Sequence, residues 1–111
     1  MRWTPVCLLD DIIPNTGVCA WVDGRQVAVF RVDDEIYALD NLDPFSGANV
    51  LSRGLIGDRG GVLKVASPIH KQNFALDTGI CLDDPQVRVA AYPSRVTEGV
   101  VELRSCDEDT R

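Results

Sequence analysis

The dipeptide Asp23-Gly24 lies between two apolar runs, and it restricts the fold more than any other feature of the sequence. The flanking runs, residues 18–22 and 26–32, are rich in Val, Ala and Phe, which favour β-strands. Asp-Gly between two such runs is a strong signal for a β-hairpin. Within the second run, both alternating faces of residues 27–32 are apolar except at Arg31, so we expect that strand to be buried on both sides.

Most of the remaining sequence repeats this pattern of short strand-like runs between turn residues. Residues 3–9 predict an edge strand, because Pro5 lacks a backbone donor. Further strands are predicted at residues 36–39, 62–66, 87–92 and 99–104, and a small hairpin at residues 73–82. Residues 41–61 contain five glycines and predict a long loop, with at most a helical turn at residues 49–53.

Close spacing of short strands predicts an all-β fold, an antiparallel sandwich or barrel. The length of 111 residues fits one domain. We expect that domain to cover residues 1–105 and to carry an inserted small β subdomain with two long loops at about residues 41–85. A polar tail is expected at residues 106–111.

Charge and cysteine spacing exclude several classes of function. The net charge of −6 argues against binding to nucleic acid or to anionic lipid. No apolar run reaches the roughly 20 residues that span a bilayer. No apolar leader is visible, so we expect a cytoplasmic protein with free thiols. The four cysteines show no paired spacing, and Cys7 and Cys19 are expected to pack as small apolar side chains.

Two loops between residues 42 and 85 have the spacing of a metal-cluster motif without most of its ligands. A Rieske [2Fe–2S] centre takes Cys-x-His from one loop and Cys-x-x-His from the other. The matching positions in this sequence are Asp43, Phe45, Ser67 and His70. Only His70 is a usual ligand, so we predict no cluster, no metal site and no cofactor in this chain. The sequence also predicts no catalytic residue, because no nucleophile–base or paired-carboxylate pattern is present.

The chain nevertheless resembles the Rieske-type ferredoxin fold over nearly its whole length, most closely at Pro68, Phe74-x-Leu76 and Thr78-Gly79. One branch is more similar still: the small subunit of the cytoplasmic assimilatory NAD(P)H-dependent nitrite reductase. The runs that carry this resemblance are residues 16–20, 43–45, 50–54 and 65–68. It implies a non-catalytic subunit that docks on a large subunit. The large subunit would carry FAD, an iron–sulfur cluster and sirohaem, and would reduce nitrite to ammonium.

The loop residues leave structural and functional alternatives open. Phe45 either fills the core or anchors a partner at an apolar tip with Ile69. His70 is either a remnant ligand or an exposed loop residue, and Asp43 either caps backbone N–H groups or faces a partner. Arg53 is expected to pair with a local carboxylate. As a hypothesis, Phe45, Ile69, His70 and Arg53 bind the partner.

Two other functions compete with the nitrite reductase interpretation. One is a Rieske-type [2Fe–2S] electron carrier for an oxygenase, which the missing ligands disfavour. The other is a ligand-free Rieske-like adaptor of another reductase. The sequence alone does not separate the adaptor from a nitrite reductase subunit.

Overall fold

The structure is a computed structural model, and it describes residues 3–104. This part of the chain contains nine strands and two short 3-10 helices, at Leu9–Asp11 and Leu51–Arg53. The strands are β1 (Thr4–Leu8), β2 (Thr16–Val22), β3 (Arg25–Val32), β4 (Glu35–Asp40), β5 (Leu55–Arg59), β6 (Val62–Ala66), β7 (Asn73–Ala75), β8 (Ser94–Thr97) and β9 (Val100–Leu103). They form three antiparallel three-stranded sheets, β1-β9-β8, β2-β3-β4 and β5-β6-β7. The predicted all-β antiparallel fold is confirmed.

The central sheet, β2-β3-β4, forms around the predicted hairpin. Asp23 and Gly24 both have positive φ, 52° and 80°, as a tight type I′ turn requires. Four consecutive residues of β3, from Val27 to Phe30, are fully buried. Ala28 and Phe30 point into one hydrophobic core, whereas Val27 and Val29 point into another. The prediction that this strand is buried on both sides is confirmed.

The sheet β5-β6-β7 lies within the predicted insert and corrects the predicted loop at residues 41–61. Only its first part is irregular, because β5 pairs with β6 along its whole length. The turn between them uses Gly60 and Gly61, both at positive φ. Strand β5 has few apolar residues and exposes Leu55, Asp58 and Arg59. Backbone pairing rather than side-chain burial holds it, which explains why residue propensity did not indicate a strand.

The C-terminal region also differs in part from the prediction. Residues 87–92 form no regular strand and instead make isolated bridges, Ile80↔Arg88 and Leu39↔Ala91. Backbone bonds to Ala38 and Asp40 still attach this segment to the central sheet. The hairpin β8–β9 follows, and β1 is an edge strand beside β9 as predicted. The predicted tail at residues 106–111 lies outside the described residues.

The thiols of the described cysteines differ in burial. Cys81 is buried in the core that contains Phe30, and Cys7 packs against the other core. Burial, followed by the negative charge of Asp11, raises the pKa of the Cys7 thiol. Cys19 is exposed, so its prediction as a packed apolar side chain is wrong. In β2 the neighbours Val18 and Ala20 contact the core, and alternation turns Cys19 to the other face.

None of the helical segments in residues 3–104 has the length and apolar character that crossing a bilayer requires.

Candidate functional site

The two loops with the cluster-motif spacing lie side by side, and each is closed by its own backbone hydrogen bonds. In the first loop the Asp43 N–H donates to Ala48 O at 2.8 Å, and the Gly47 N–H donates to Asp43 O at 2.8 Å. In the second loop the Ser67 N–H donates to Gln72 O at 2.9 Å, and the Lys71 N–H donates to Ser67 O at 3.0 Å. Both loops are therefore compact turns rather than open excursions.

Each loop needs one residue in the left-handed region to close. Gly47 has φ 75° and Lys71 has φ 63°. Glycine takes this conformation without steric cost, whereas a residue with a Cβ does so at some cost. The second loop therefore holds Lys71 in a mildly strained conformation, with its side chain exposed.

A single buried hydrogen bond joins the two loops. The Ser67 hydroxyl donates to Asp43 Oδ2 at 2.5 Å, and the two residues are 1% and 0% exposed. Asp43 Oδ1 also accepts the Phe45 N–H at 2.9 Å, so the expected capping role of Asp43 is confirmed. Ser67 Oγ in turn lies 3.3 Å from the Ile69 N–H, which donates to it. A buried carboxylate is tolerated because its oxygens are satisfied.

These hydrogen bonds also set the charge state of Asp43. Burial is the largest single effect and on its own would raise the pKa of Asp43. Hydrogen bonds from the Ser67 hydroxyl, from the Phe45 N–H and from Ser46 together outweigh it, so the pKa lies below the ordinary value of 3.8. Asp43 is therefore ionised near neutral pH, and its negative charge is used inside the protein rather than presented to a partner.

Phe45 fills the core in part, as one of its two predicted alternatives expects, and its role as a partner anchor stays a prediction. Its ring centroid lies 6.2 Å from that of the buried Phe74, at an interplanar angle of 48°. The side chain still keeps 36% of its surface exposed, and Ile69 keeps 47%. His70 is exposed as well. The loops thus present apolar and imidazole groups on a tip whose inner side is anchored to the core.

Arg53 does not make its predicted ion pair. It is exposed, and among residues 3–104 no carboxylate lies within 4.0 Å of it. The acidic residues nearest to Arg53 in the sequence have other partners. Asp43 is buried against Ser67, and Asp58 accepts the Gly61 N–H at the far end of β5. Arg53 instead lines a shallow hollow beside the second loop.

Asn41 is a site residue that sequence reasoning missed. It is 1% exposed, and its side-chain N–H groups donate to Asn49 O at 3.1 Å and to Gln26 Oε1 at 3.2 Å. Its Oδ1 accepts the Ser52 N–H at 2.7 Å. Asn41 therefore fixes both ends of the first loop to the central sheet. Its position, directly before a glycine-rich stretch, was the available signal.

Asp83 has a structural role beside the second loop. It accepts the Asn73 N–H at 2.8 Å and pairs with Arg59 at 3.0 Å. The hydrogen bond from Asn73 is the largest cause of a lowered Asp83 pKa, and Arg59 adds to it. Asp83 thus connects β5 with the start of β7, just after the second loop.

The four motif positions do not fit an iron–sulfur cluster. Such clusters require thiolates, with imidazoles in the Rieske type. Asp43 and Ser67 bind each other instead, and Phe45 offers only carbon atoms. Among residues 3–104 no group of three or more His, Cys, Asp or Glu side chains is placed to hold a metal ion. His70 would be the single ordinary ligand of the set.

Comparison with known proteins places this geometry in a family. Residues 2–104 match the family described as Rieske-like [2Fe-2S] domain. The nitrite reductase (NADH) small subunit of Salmonella typhimurium is 51% identical over 93% of this chain and 97% of its own length. The solved structure of the Escherichia coli protein NirD superposes with a TM-score of 0.87 at 49% identity, covering 94% of this chain and 96% of that one.

Two further relatives differ in kind. A Klebsiella oxytoca protein named nitrite reductase [NAD(P)H] large subunit contains a 48% identical segment, which covers 89% of this chain and 10% of that protein. A Ralstonia protein named as the ferredoxin component of naphthalene dioxygenase and salicylate hydroxylase systems is 32% identical over 93% of this chain and 95% of its own length. Similarity to the small subunits is therefore well above similarity to the ferredoxin.

Proposed function

This chain belongs to the Rieske-like [2Fe-2S] domain family, among its nitrite reductase small subunits, and we propose that it is the non-catalytic small subunit of an NAD(P)H-dependent nitrite reductase. One observation carries the proposal. The sequence is identical to those of nitrite reductase small subunits at about half of the aligned positions over nearly the full length, while the motif positions hold a hydrogen bond in place of metal ligands. Its role would be to bind and organise another subunit.

The partner we propose is the large subunit of the same enzyme. The Klebsiella protein supports this pairing, because a segment similar to this chain is covalently part of a protein named as the large subunit. Domains found in one chain in one organism and in two chains in another commonly act together. We place FAD, an iron–sulfur cluster, sirohaem and the reduction of nitrite to ammonium on that partner, in the cytoplasm during nitrate assimilation.

The docking face we propose is the tip formed by the two loops, with Phe45, Ile69, His70 and Arg53 as contact residues. Both loops are already closed by hydrogen bonds and joined by Asp43–Ser67. Ordered loops lose little conformational entropy on binding. Half-exposed aromatic and aliphatic side chains on such a tip are the type of residue that anchors protein interfaces.

A Rieske-type electron carrier is the second candidate, favoured by the 32% identical ferredoxin component. An electron carrier of this type requires a cluster, and the side chains of Asp43, Phe45 and Ser67 do not supply the thiolate and imidazole ligands of that cluster. A ligand-free adaptor of another reductase is compatible with the same surface. Partner identity separates that adaptor from the proposed subunit.

Affinity purification tests the proposal. The tagged chain should retain the large subunit from nitrate-grown cells. The chain purified without its partner should contain no iron and should show no [2Fe–2S] spectrum by electron paramagnetic resonance. Retention of an oxygenase, with a cluster spectrum, would favour the electron carrier. Retention of a different reductase would favour the adaptor and contradict the proposed partner.

A further inference from the structure

Arg53 and Leu55 form a ridge near the second loop, with a hollow on each side of it. Of the contact residues proposed above, only Arg53 lies on this surface. Arg53 and Leu55 stand between a hollow of about 220 Å³, which also contacts Pro68 and Lys71, and a second hollow of about 360 Å³. Leu55 is 78% exposed, more than any other large apolar side chain among residues 3–104. The exposed Pro68 lines the same hollow as Leu55, and an exposed apolar patch with polar groups at its rim is the kind of surface that marks an interaction site.

The ridge is held rigidly rather than carried on a mobile loop. Leu55 pairs with Ala66 in the β5–β6 ladder, and the Gly54 N–H donates to Leu51 O at 2.9 Å at the end of the 3-10 helix. Gly54 packs directly on the Ala66 carbonyl and on Val65, where a Cβ atom would collide. Leu51 is fully buried and fixes the helix to the core. Burial of Leu55 by a partner therefore requires little ordering of this chain.

The ridge is also a basic point on an acidic protein. The chain has net charge −6, yet Arg53 and Lys71 are both exposed and line the same hollow. Neither has a carboxylate within 4.0 Å among residues 3–104, whereas Arg31, Arg59 and Arg95 each have one. Uncompensated like charges beside an apolar side chain favour a partner that supplies carboxylates around an apolar contact.

We propose that the surface formed by Arg53, Leu55, Pro68 and Lys71 binds an acidic segment of the large subunit, which seats an apolar side chain on Leu55 between carboxylates that pair with Arg53 and Lys71. The inference rests on the proposed function, because it specifies the chemistry of the same partner. It adds Leu55, Pro68 and Lys71 to the contact set and predicts an electrostatic contribution to the docking step.

Affinity of the full-length chain for the purified large subunit tests this proposal. Arg53→Glu and Lys71→Glu should each weaken binding by about tenfold or more, and binding of the natural chain should weaken as salt rises from about 50 mM to about 500 mM. Arg88→Glu is the matched control, because Arg88 is exposed and has no carboxylate partner among residues 3–104. Leu55→Ser should also weaken binding about tenfold, whereas Val62→Ser, 40% exposed in the same sheet, should not.

The outcomes separate this inference from the proposed function. Normal binding by the natural chain, with Arg53→Glu and Lys71→Glu no weaker than Arg88→Glu, would overturn the inference and leave the subunit assignment standing. No binding by the natural chain would contradict the proposed function and the inference with it. Sedimentation measures whether the chain associates with itself. Self-association that the same substitutions abolish would show that a second copy of the chain occupies this surface, and would overturn the proposal that the large subunit does. Unchanged thermal unfolding of each variant shows that the substitution acts on the surface.

Discussion

The central sheet and the two-loop tip are held together by different physical means. Strand β3 buries four consecutive residues in two hydrophobic cores. The stability of this sheet is therefore distributed over many apolar contacts. The tip depends on a few polar bonds, with the buried pair Asp43–Ser67 at its centre. A fold held by burial tolerates the loss of a cofactor. Two loops at the position of a metal cluster need another cross-link when no cluster is present. The Asp43–Ser67 hydrogen bond provides that cross-link.

The largest expected effect lies in the central sheet. Phe30→Ala should lower the free energy of unfolding by about 3–5 kcal/mol, because it leaves a cavity in a core where Phe30 is fully buried. Urea denaturation followed by circular dichroism measures the change. Val96→Ala, at a position that is 38% exposed, is the control and should change stability little. Equal effects of the two substitutions would contradict the account of the sheet.

A smaller effect is expected at the tip. Ser67→Ala removes the hydroxyl donor from a buried carboxylate, so stability should fall by about 1–3 kcal/mol. Ser52→Ala is the matched control, because the Ser52 hydroxyl makes no hydrogen bond to residues 3–104. Hydrogen exchange should show that Ser67→Ala loosens the loops at residues 42–50 and 67–72 more than it loosens β3. Uniform loosening would show that the tip and the sheet form one cooperative unit.

Acid should weaken the same cross-link. The folded-state pKa of Asp43 lies below the ordinary value of 3.8, so its ionisation stabilises the fold fully above that value. The contribution is lost as pH falls through the lower, folded-state pKa. In Asp43→Asn this part of the pH dependence should disappear, and the unfolding free energy should change less steeply below about pH 4. Identical slopes for Asp43→Asn and the natural chain would remove Asp43 from the explanation.

The smallest effect is expected for the exposed ion pair between Arg59 and Asp83, in contrast to the buried Asp43–Ser67 hydrogen bond. Arg59 pairs with Asp83 at 3.0 Å, and both side chains are substantially exposed. Because water screens this pair, Arg59→Ala should cost only about 0.2–1 kcal/mol, and less at high salt. Thermal unfolding at two salt concentrations measures it. A cost equal to that of Ser67→Ala would erase the distinction between the buried and the exposed link.

The sequence predicted those structural elements that depend on residues close to one another in the chain. Asp23-Gly24 located the hairpin, and residues 62–66 were predicted with the bounds that β6 has. Strands β5 and β8 were missed, because most of their side chains are exposed and the partner strand, not residue propensity, holds them. The site followed the same rule. The capping role of Asp43, two residues before the Phe45 N–H that it accepts, was predicted, whereas the role of Asn41 depends on Gln26 and Ser52, which are distant in sequence.

The affinity of loop variants for the large subunit tests the central claim, that the two loops persist as a docking tip without a cluster. Phe45→Asp and Ile69→Asp place a charge on side chains that are 36% and 47% exposed, so both variants should still fold. If the tip docks, isothermal titration calorimetry with the purified large subunit should show binding about tenfold weaker or worse for each variant. Wild-type affinity in both variants would contradict the claim.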